Sequence, residues 1–125
     1  MNKLIIICTD YNDADYAYRI IENASDEKIN YFTKECENLI NISHAWYDMR
    51  DMWEEYSNNF TNTWKYELKE NEFEDSKFSN FNKEDVCSAL RFYNEELPGG
   101  YYPEERPHSI VYIKVFDYNN VYTII

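Results

Sequence analysis

The chain has 125 residues, with 24 Asp and Glu against 12 Lys and Arg, for a formal net charge of −12. A surface of that sign repels nucleic acid and anionic membranes and attracts basic protein surfaces. Hydrophobic residues at 44% and aromatics at 18% exclude a disordered chain. The length suits a single domain, 1–125, that buries roughly two thirds of its unfolded surface without needing metal or disulfides.

Asn, Ile and Tyr are abundant, as in the product of an AT-rich genome, yet Lys, whose codons are equally AT-rich, is scarce. Positive charge has therefore been kept low. Net charge also keeps small domains monodisperse, but a magnitude of 12 exceeds what solubility requires. The acidity has two readings, solubility or a basic partner, and the second is favoured.

Lys3 precedes a short apolar run, Leu4-Ile5-Ile6-Ile7-Cys8. It is too short for a signal-peptide core or a membrane span, so a cytoplasmic protein is expected. The run reads as a strand buried on both faces or central in a sheet. From Tyr11 to Asn23, Ala14, Ala17, Tyr18 and Ile21 fall at helical spacing, and Asp10 and Asp13 are placed to cap that helix. Ser25 or Asp26 caps a second helix, along which Ile29, Phe32, Cys36, Leu39 or Ile40, Ser43, Trp46 or Tyr47, Arg50 and Trp53 recur every three or four residues. With no Pro or Gly in the way, this predicts either one long helix or two helices meeting near Asn41–Ser43, and one long helix, kinked there, is favoured.

Phe60 to Leu68 changes to period two and predicts a half-buried strand. Glu70–Asn80 reads as a polar loop anchored by Phe73 and Phe78. Asn82 caps a helix over Lys83–Glu96 with Val86, Leu90, Tyr93 and Leu97 inward, ended by Pro98-Gly99-Gly100 with a glycine C-cap. Ile110–Tyr118 and Val121–Ile125 read as strands joined by an Asn119-Asn120 turn. The expected fold is α+β: a small, mostly antiparallel sheet of about four strands packed by three helices, in the order β-α-α-β-α-β-β.

Three widely spaced cysteines, Cys8, Cys36 and Cys87, read as reduced core thiols. His44 and His108 have no Cys or His at ligand spacing, so no metal site is expected. A Cys8–His108 nucleophile pair has the right residue types, but a buried thiol beside an unrelated His is far commoner. Asp10, Asn12 and Asp13 begin like a calcium loop, yet the sixth position lacks Gly and the twelfth is Ile21 rather than Glu. No glycine precedes Gly99, which removes phosphate-cradling loops, and no cofactor is expected. Direct nucleic-acid binding is not expected from a surface of this sign.

What remains is acidic and aromatic. On the predicted long helix, Asp48, Asp51 and Glu55 share a face and Glu54 flanks them, with Trp53 or Tyr56 as a neighbouring anchor. At a helix C-terminus such acids oppose the dipole, which makes them candidates for function. Their structural alternative is a solvated face paired with Arg or Lys. A second cluster runs through Glu67, Glu70, Glu72, Glu74 and Asp75, and a third pairs Glu95-Glu96 with Glu104-Glu105 around Tyr101-Tyr102. Aromatics that anchor and carboxylates that meet Arg and Lys suit a protein interface.

In the runs Asp48–Tyr56 and Glu67–Asp75 the chain resembles small acidic phage-type anti-defence proteins, the anti-CRISPR and anti-restriction inhibitors. That resemblance implies carboxylates standing where a target expects phosphates, as in a nucleic-acid mimic. The expected function is non-enzymatic inhibition of a basic nucleic-acid-handling protein, such as a CRISPR effector or defence nuclease. Cytosolic immunity proteins against nuclease toxins look similar and form the first alternative; a small hydrolase is the second. The expected binding residues are Asp48, Asp51, Trp53, Glu54, Glu55, Tyr56, Glu70, Glu72, Glu74 and Asp75.

Overall fold

The Ile-rich run near the N-terminus lies at the centre of a sheet. The computed structural model describes residues 3–12, 15–59, 70–100, 102–118 and 120–125. Strand β1 (Lys3–Asn12) is flanked by β2 (Asp15–Ile21) on one side and β3 (Ser109–Asp117) on the other, and β4 (Asn120–Thr123) closes the order β2-β1-β3-β4. All three pairings are antiparallel. Helices α1 (Asp26–Ser43), α2 (Met49–Asn59), α3 (Glu70–Glu74) and α4 (Lys83–Glu96) lie in sequence between the two hairpins. The class is α+β with a small antiparallel sheet, as expected, but the element order is β-β-α-α-α-α-β-β.

The helix expected over Tyr11–Asn23 is instead the second arm of a hairpin. Tyr16, Tyr18 and Ile20 alternate with Ala17, Arg19 and Ile21, and this period-two signal with strong β-formers overrides the weaker helical one. Pairing with β1 supplies the backbone partners, from Ile5 opposite Ile21 to Asp10 opposite Tyr16. Asp10 therefore caps nothing, because β1 runs through it; Asp13 lies outside the described residues.

The predicted long helix is two helices. Ser25 caps α1 by accepting from the Lys28 N–H at 3.1 Å, and Asp26 and Glu27 occupy its first turn. α1 stops at Ser43, and Asp48 starts α2 by accepting from the Asp51 N–H at 2.7 Å. Short polar side chains compete with the helical backbone in this way and act as caps instead. No Pro or Gly is needed for the break.

Asn82 caps α4 as expected, accepting from the Asp85 N–H at 3.1 Å. The helix ends differently from the expected glycine cap. Leu97, extended at φ −82° and ψ 133°, terminates it because it precedes Pro98, and no glycine takes positive φ. Gly100 is required by closeness: a Cβ there would stand 2.5 Å from Glu105 Cβ. In the last hairpin Asp117 pairs with Asn120, so the turn begins at Tyr118, which takes φ 56°, one residue earlier than predicted. Asn119 and the strand expected over Phe60–Leu68 lie outside the described residues.

One face of the sheet carries the helices. Ile5, Ile7, Ile113 and Val115 are fully buried and share one apolar cluster with Phe32 and Leu39 of α1, Met52 and Tyr56 of α2, and Leu90, Phe92 and Tyr93 of α4. Phe32, Phe92 and Tyr31 meet edge to face, with Phe32 and Phe92 centroids 5.2 Å apart. The inward positions predicted on α4, together with Phe73 and Phe78, are buried as expected. Cys8 and Cys36 are buried and Cys87 half-buried, all free thiols; burial pushes the Cys36 thiol up to about 12.

Among the described residues, the other face is open. Its register positions are Leu4, Ile6, Cys8 and Asp10 on β1, opposite Tyr16, Tyr18 and Ile20 on β2 and Tyr112, Lys114 and Phe116 on β3. Cys8 is buried beneath its cross-strand neighbours Tyr18 and Tyr112, whereas Tyr18 is 62% exposed and Ile20 58%.

Candidate functional site

The break between α1 and α2 turns the chain and brings the two acidic clusters together. Trp46 and Tyr47 lie in the connection. Trp46 rests on Phe78, with centroids 5.0 Å apart, so it is held in place, whereas Tyr47 projects at 94% exposure. An open groove of about 580 Å³ is lined by Trp46, Tyr47, Asp51, Glu54, Glu55 and Lys77. A second groove, about 380 Å³, adjoins it and is lined by Glu55, Glu72, Asp75 and Lys77 among others. Glu55 and Lys77 belong to both. The two grooves thus present five carboxylates, on Asp51, Glu54, Glu55, Glu72 and Asp75, against the ammonium of Lys77.

Lys77 shows what this environment accepts. Its Nζ stands 3.7 Å from Glu55 and 5.6 Å above the Trp46 ring, a cation held between a carboxylate and an aromatic face. Lys77 itself is 69% exposed. Glu54 is partly engaged by Arg50 one turn earlier at 3.6 Å, and Arg50 also donates to the Glu104 carbonyl at 2.9 Å. Among the described residues, no ion pair involves Asp51, Glu72 or Asp75.

The remaining expected site residues fall elsewhere. Asp48 does structural work: it caps α2 and meets His108 Nδ1 at 2.5 Å, and its side chain is only 15% exposed. Tyr56 is fully buried, and Trp53 stacks on it at 5.5 Å and leans on Tyr93 at 5.7 Å. These two rings support α2 from within, and the aromatics beside the acids are the exposed Tyr47 and the half-buried Trp46. Glu70 pairs with Lys83 at 3.3 Å, while Glu74 is exposed on the short α3. Glu67 lies outside the described residues. The premise that these acids oppose a helix C-terminus also changes. Asp51 sits in the first turn of α2, where a negative charge is favoured.

Of the third cluster, Glu96 is committed to the fold. Arg19 contacts it at 3.3 Å and Lys28 at 3.2 Å, and Arg19 also donates to its carbonyl at 2.9 Å, neutralising acid at the end of α4. Sequence reasoning missed Tyr47 because a continuous helix assigned it to a buried stripe. The signal available was Asp48 followed three residues later by Asp51, a cap spacing that begins a new helix.

Replacing Asp48 with Ala removes a cap and the His108 contact together. The expected loss is about 1–2 kcal/mol of stability, read as a lower urea midpoint. A change below about 0.3 kcal/mol would show that Asp48 does not hold α2.

Among the described residues no group of three or more His, Cys, Asp or Glu could hold a metal ion. The Cys8 thiol beside it holds the Tyr18 phenol above its usual range, and His108 Nδ1 faces Asp48. No helix among the described residues is long and apolar enough to cross a membrane. Comparison with known proteins finds no matching family model, no matching curated protein and no matching solved structure.

Proposed function

We propose that this protein is a non-enzymatic inhibitor that docks a basic nucleic-acid-handling protein, a defence nuclease or CRISPR-type effector, through the paired acidic grooves of α2 and α3. The carrying observation is Lys77, held between Glu55 and the Trp46 ring. An Arg or Lys of a partner finds the same chemistry around Asp51, Glu54 and Tyr47, where guanidinium stacking on the exposed ring adds to ion pairing. Five carboxylates along adjoining grooves also extend the row of negative charge, which a mimic of the DNA backbone requires, since duplex DNA carries one charge per about 1.7 Å of axis.

Docking of this kind is salt-sensitive, because charge around the contact accelerates association mainly at low ionic strength. Immobilised protein incubated with lysate, and then with purified effector nucleases, should retain basic partners at about 50 mM NaCl and release most of them near 500 mM, where the screening length falls from above 10 Å to below 5 Å. Retention of acidic or neutral partners alone, or binding that ignores salt, would refute the proposal.

A further inference from the structure

We infer that the open face of the sheet is a self-association surface on which two copies of this chain pack face to face about a twofold axis. The open face is apolar where the molecule around it is acidic. Tyr16 is 49% exposed, Tyr18 62%, Ile20 58% and Val121 53%, and together with the partly covered Leu4, Ile6 and Phe116 they make a contiguous patch across four strands. Scattered exposed apolar residues mean little, but a continuous apolar face on a small domain marks an interaction site. Among the described residues, Asp10 is the one acid that takes a register position on this face between Leu4 and Phe116, and Lys114 is the matching cation. A basic partner would find a single acid to pair with here, and an acidic one a single lysine.

A second copy fits on charge and on area. Lys114 lies opposite Ile6, and Asp10 lies four residues further along β1, so the two charges sit toward opposite ends of the face. Their midpoint is the row Tyr18–Cys8–Tyr112. A twofold axis through that row, across the strands, sets each Asp10 above the other copy's Lys114, offset by one strand and within reach of a lysine side chain. Such an interface is self-complementary, as a twofold contact must be. Three strands of seven residues and the four residues of β4, at about 4.8 Å spacing and about 3.3 Å rise, give a flat footprint of about 400 Å² per copy. The pair then buries about 800 Å² before side-chain relief, which places it among weak associations below about 1,200 Å². Aligned sheet-on-sheet packing about 10 Å apart accommodates interleaved tyrosines and isoleucines. The acidic grooves belong to the helical layer, so pairing leaves both of them open.

The sign of its salt dependence separates this pairing from groove docking. Copies of charge −12 repel each other, and screening that repulsion strengthens an apolar contact. Sedimentation velocity from about 5 to 500 µM should show a monomer–dimer equilibrium whose Kd tightens about tenfold between 50 and 500 mM NaCl, opposite to the expected behaviour of groove docking. Ile20→Glu, at a solvent-facing position of an edge strand, should weaken the dimer at least tenfold. Lys114→Glu should weaken it too, and adding Asp10→Lys in the same chain should restore it by exchanging the pair. Circular dichroism verifies the fold of each variant, and the Lys114 series stands if Ile20→Glu fails to fold. A chain that stays monomeric throughout, a dimer that loosens with salt, a folded Ile20→Glu variant that still dimerises, or an exchange that does not restore association each overturns the inference; the first two outcomes assign the face to a different protein or to edge pairing.

Discussion

Phe92→Ala is expected to remove about 3–5 kcal/mol of stability, the cost of emptying a large aromatic site that its neighbours fill only in part. Phe92 has no exposed surface and meets Phe32 at 5.2 Å and Tyr31 at 5.8 Å, both nearly edge on. These rings join α1 to α4 within the cluster that also holds Ile5, Ile7, Ile113 and Val115 of the sheet. Edge-to-face pairs add about 0.5–1.5 kcal/mol beyond the area they bury, so the upper half of the range is favoured. Domains of this size hold only about 5–15 kcal/mol in all. The melting temperature should therefore fall by about 10–20 °C, checked by thermal and urea unfolding monitored by circular dichroism. A loss under about 1 kcal/mol would mean that this cluster is not where the two helices are tied to the sheet.

The same cluster shows where sequence periodicity is informative. Ile29, Phe32, Cys36 and Leu39 repeat every three or four residues and are all buried, as are Val86, Leu90, Tyr93 and Leu97. Long amphipathic patterns with clear caps leave little choice of conformation. The first hairpin was harder to read. Asp15–Ile21 supports a helical stripe through Ala17 and Ile21 and a strand through Tyr16, Tyr18 and Ile20, and what decides between them is pairing with β1, a tertiary fact. Taking that segment as a helix hides the open face, because its exposed Tyr16, Tyr18 and Ile20 all come from β2. Asp48 hides the acidic grooves similarly. As a mid-helix residue it extends an acidic stripe; as a cap it turns the chain, buries Tyr56 and exposes Tyr47. The convergence of Glu55 with Glu72 and Asp75 is likewise tertiary, and no spacing along the chain encodes it.

Reversing one acid in each groove, Asp51→Lys with Asp75→Lys, is expected to weaken partner binding about tenfold or more while the fold holds. Neither carboxylate makes an ion pair among the described residues, so neither reversal strands a buried partner. Glu55 is the poorer choice, because its reversal would set two lysines side by side at Lys77. Asp51 stands in the first turn of α2, and a lysine there costs about 0.3–1 kcal/mol against the helix dipole, well within the stability of a domain this size. Each lost charge pair at a partly desolvated contact is worth about 1.5 kcal/mol or more, and a tenfold change in affinity corresponds to about 1.4 kcal/mol. Each reversal also moves the net charge of −12 by two, which slows association with any basic partner regardless of site. Glu27→Lys with Glu84→Lys serves as the control, since it makes the same charge change at exposed first-turn positions of α1 and α4, away from both grooves. In surface plasmon resonance against a captured effector nuclease, both pairs should slow association, and only the groove pair should accelerate dissociation. Equal effects from the two pairs would reduce the contact to net charge alone, and unchanged binding by the groove pair would move the interface away from α2 and α3.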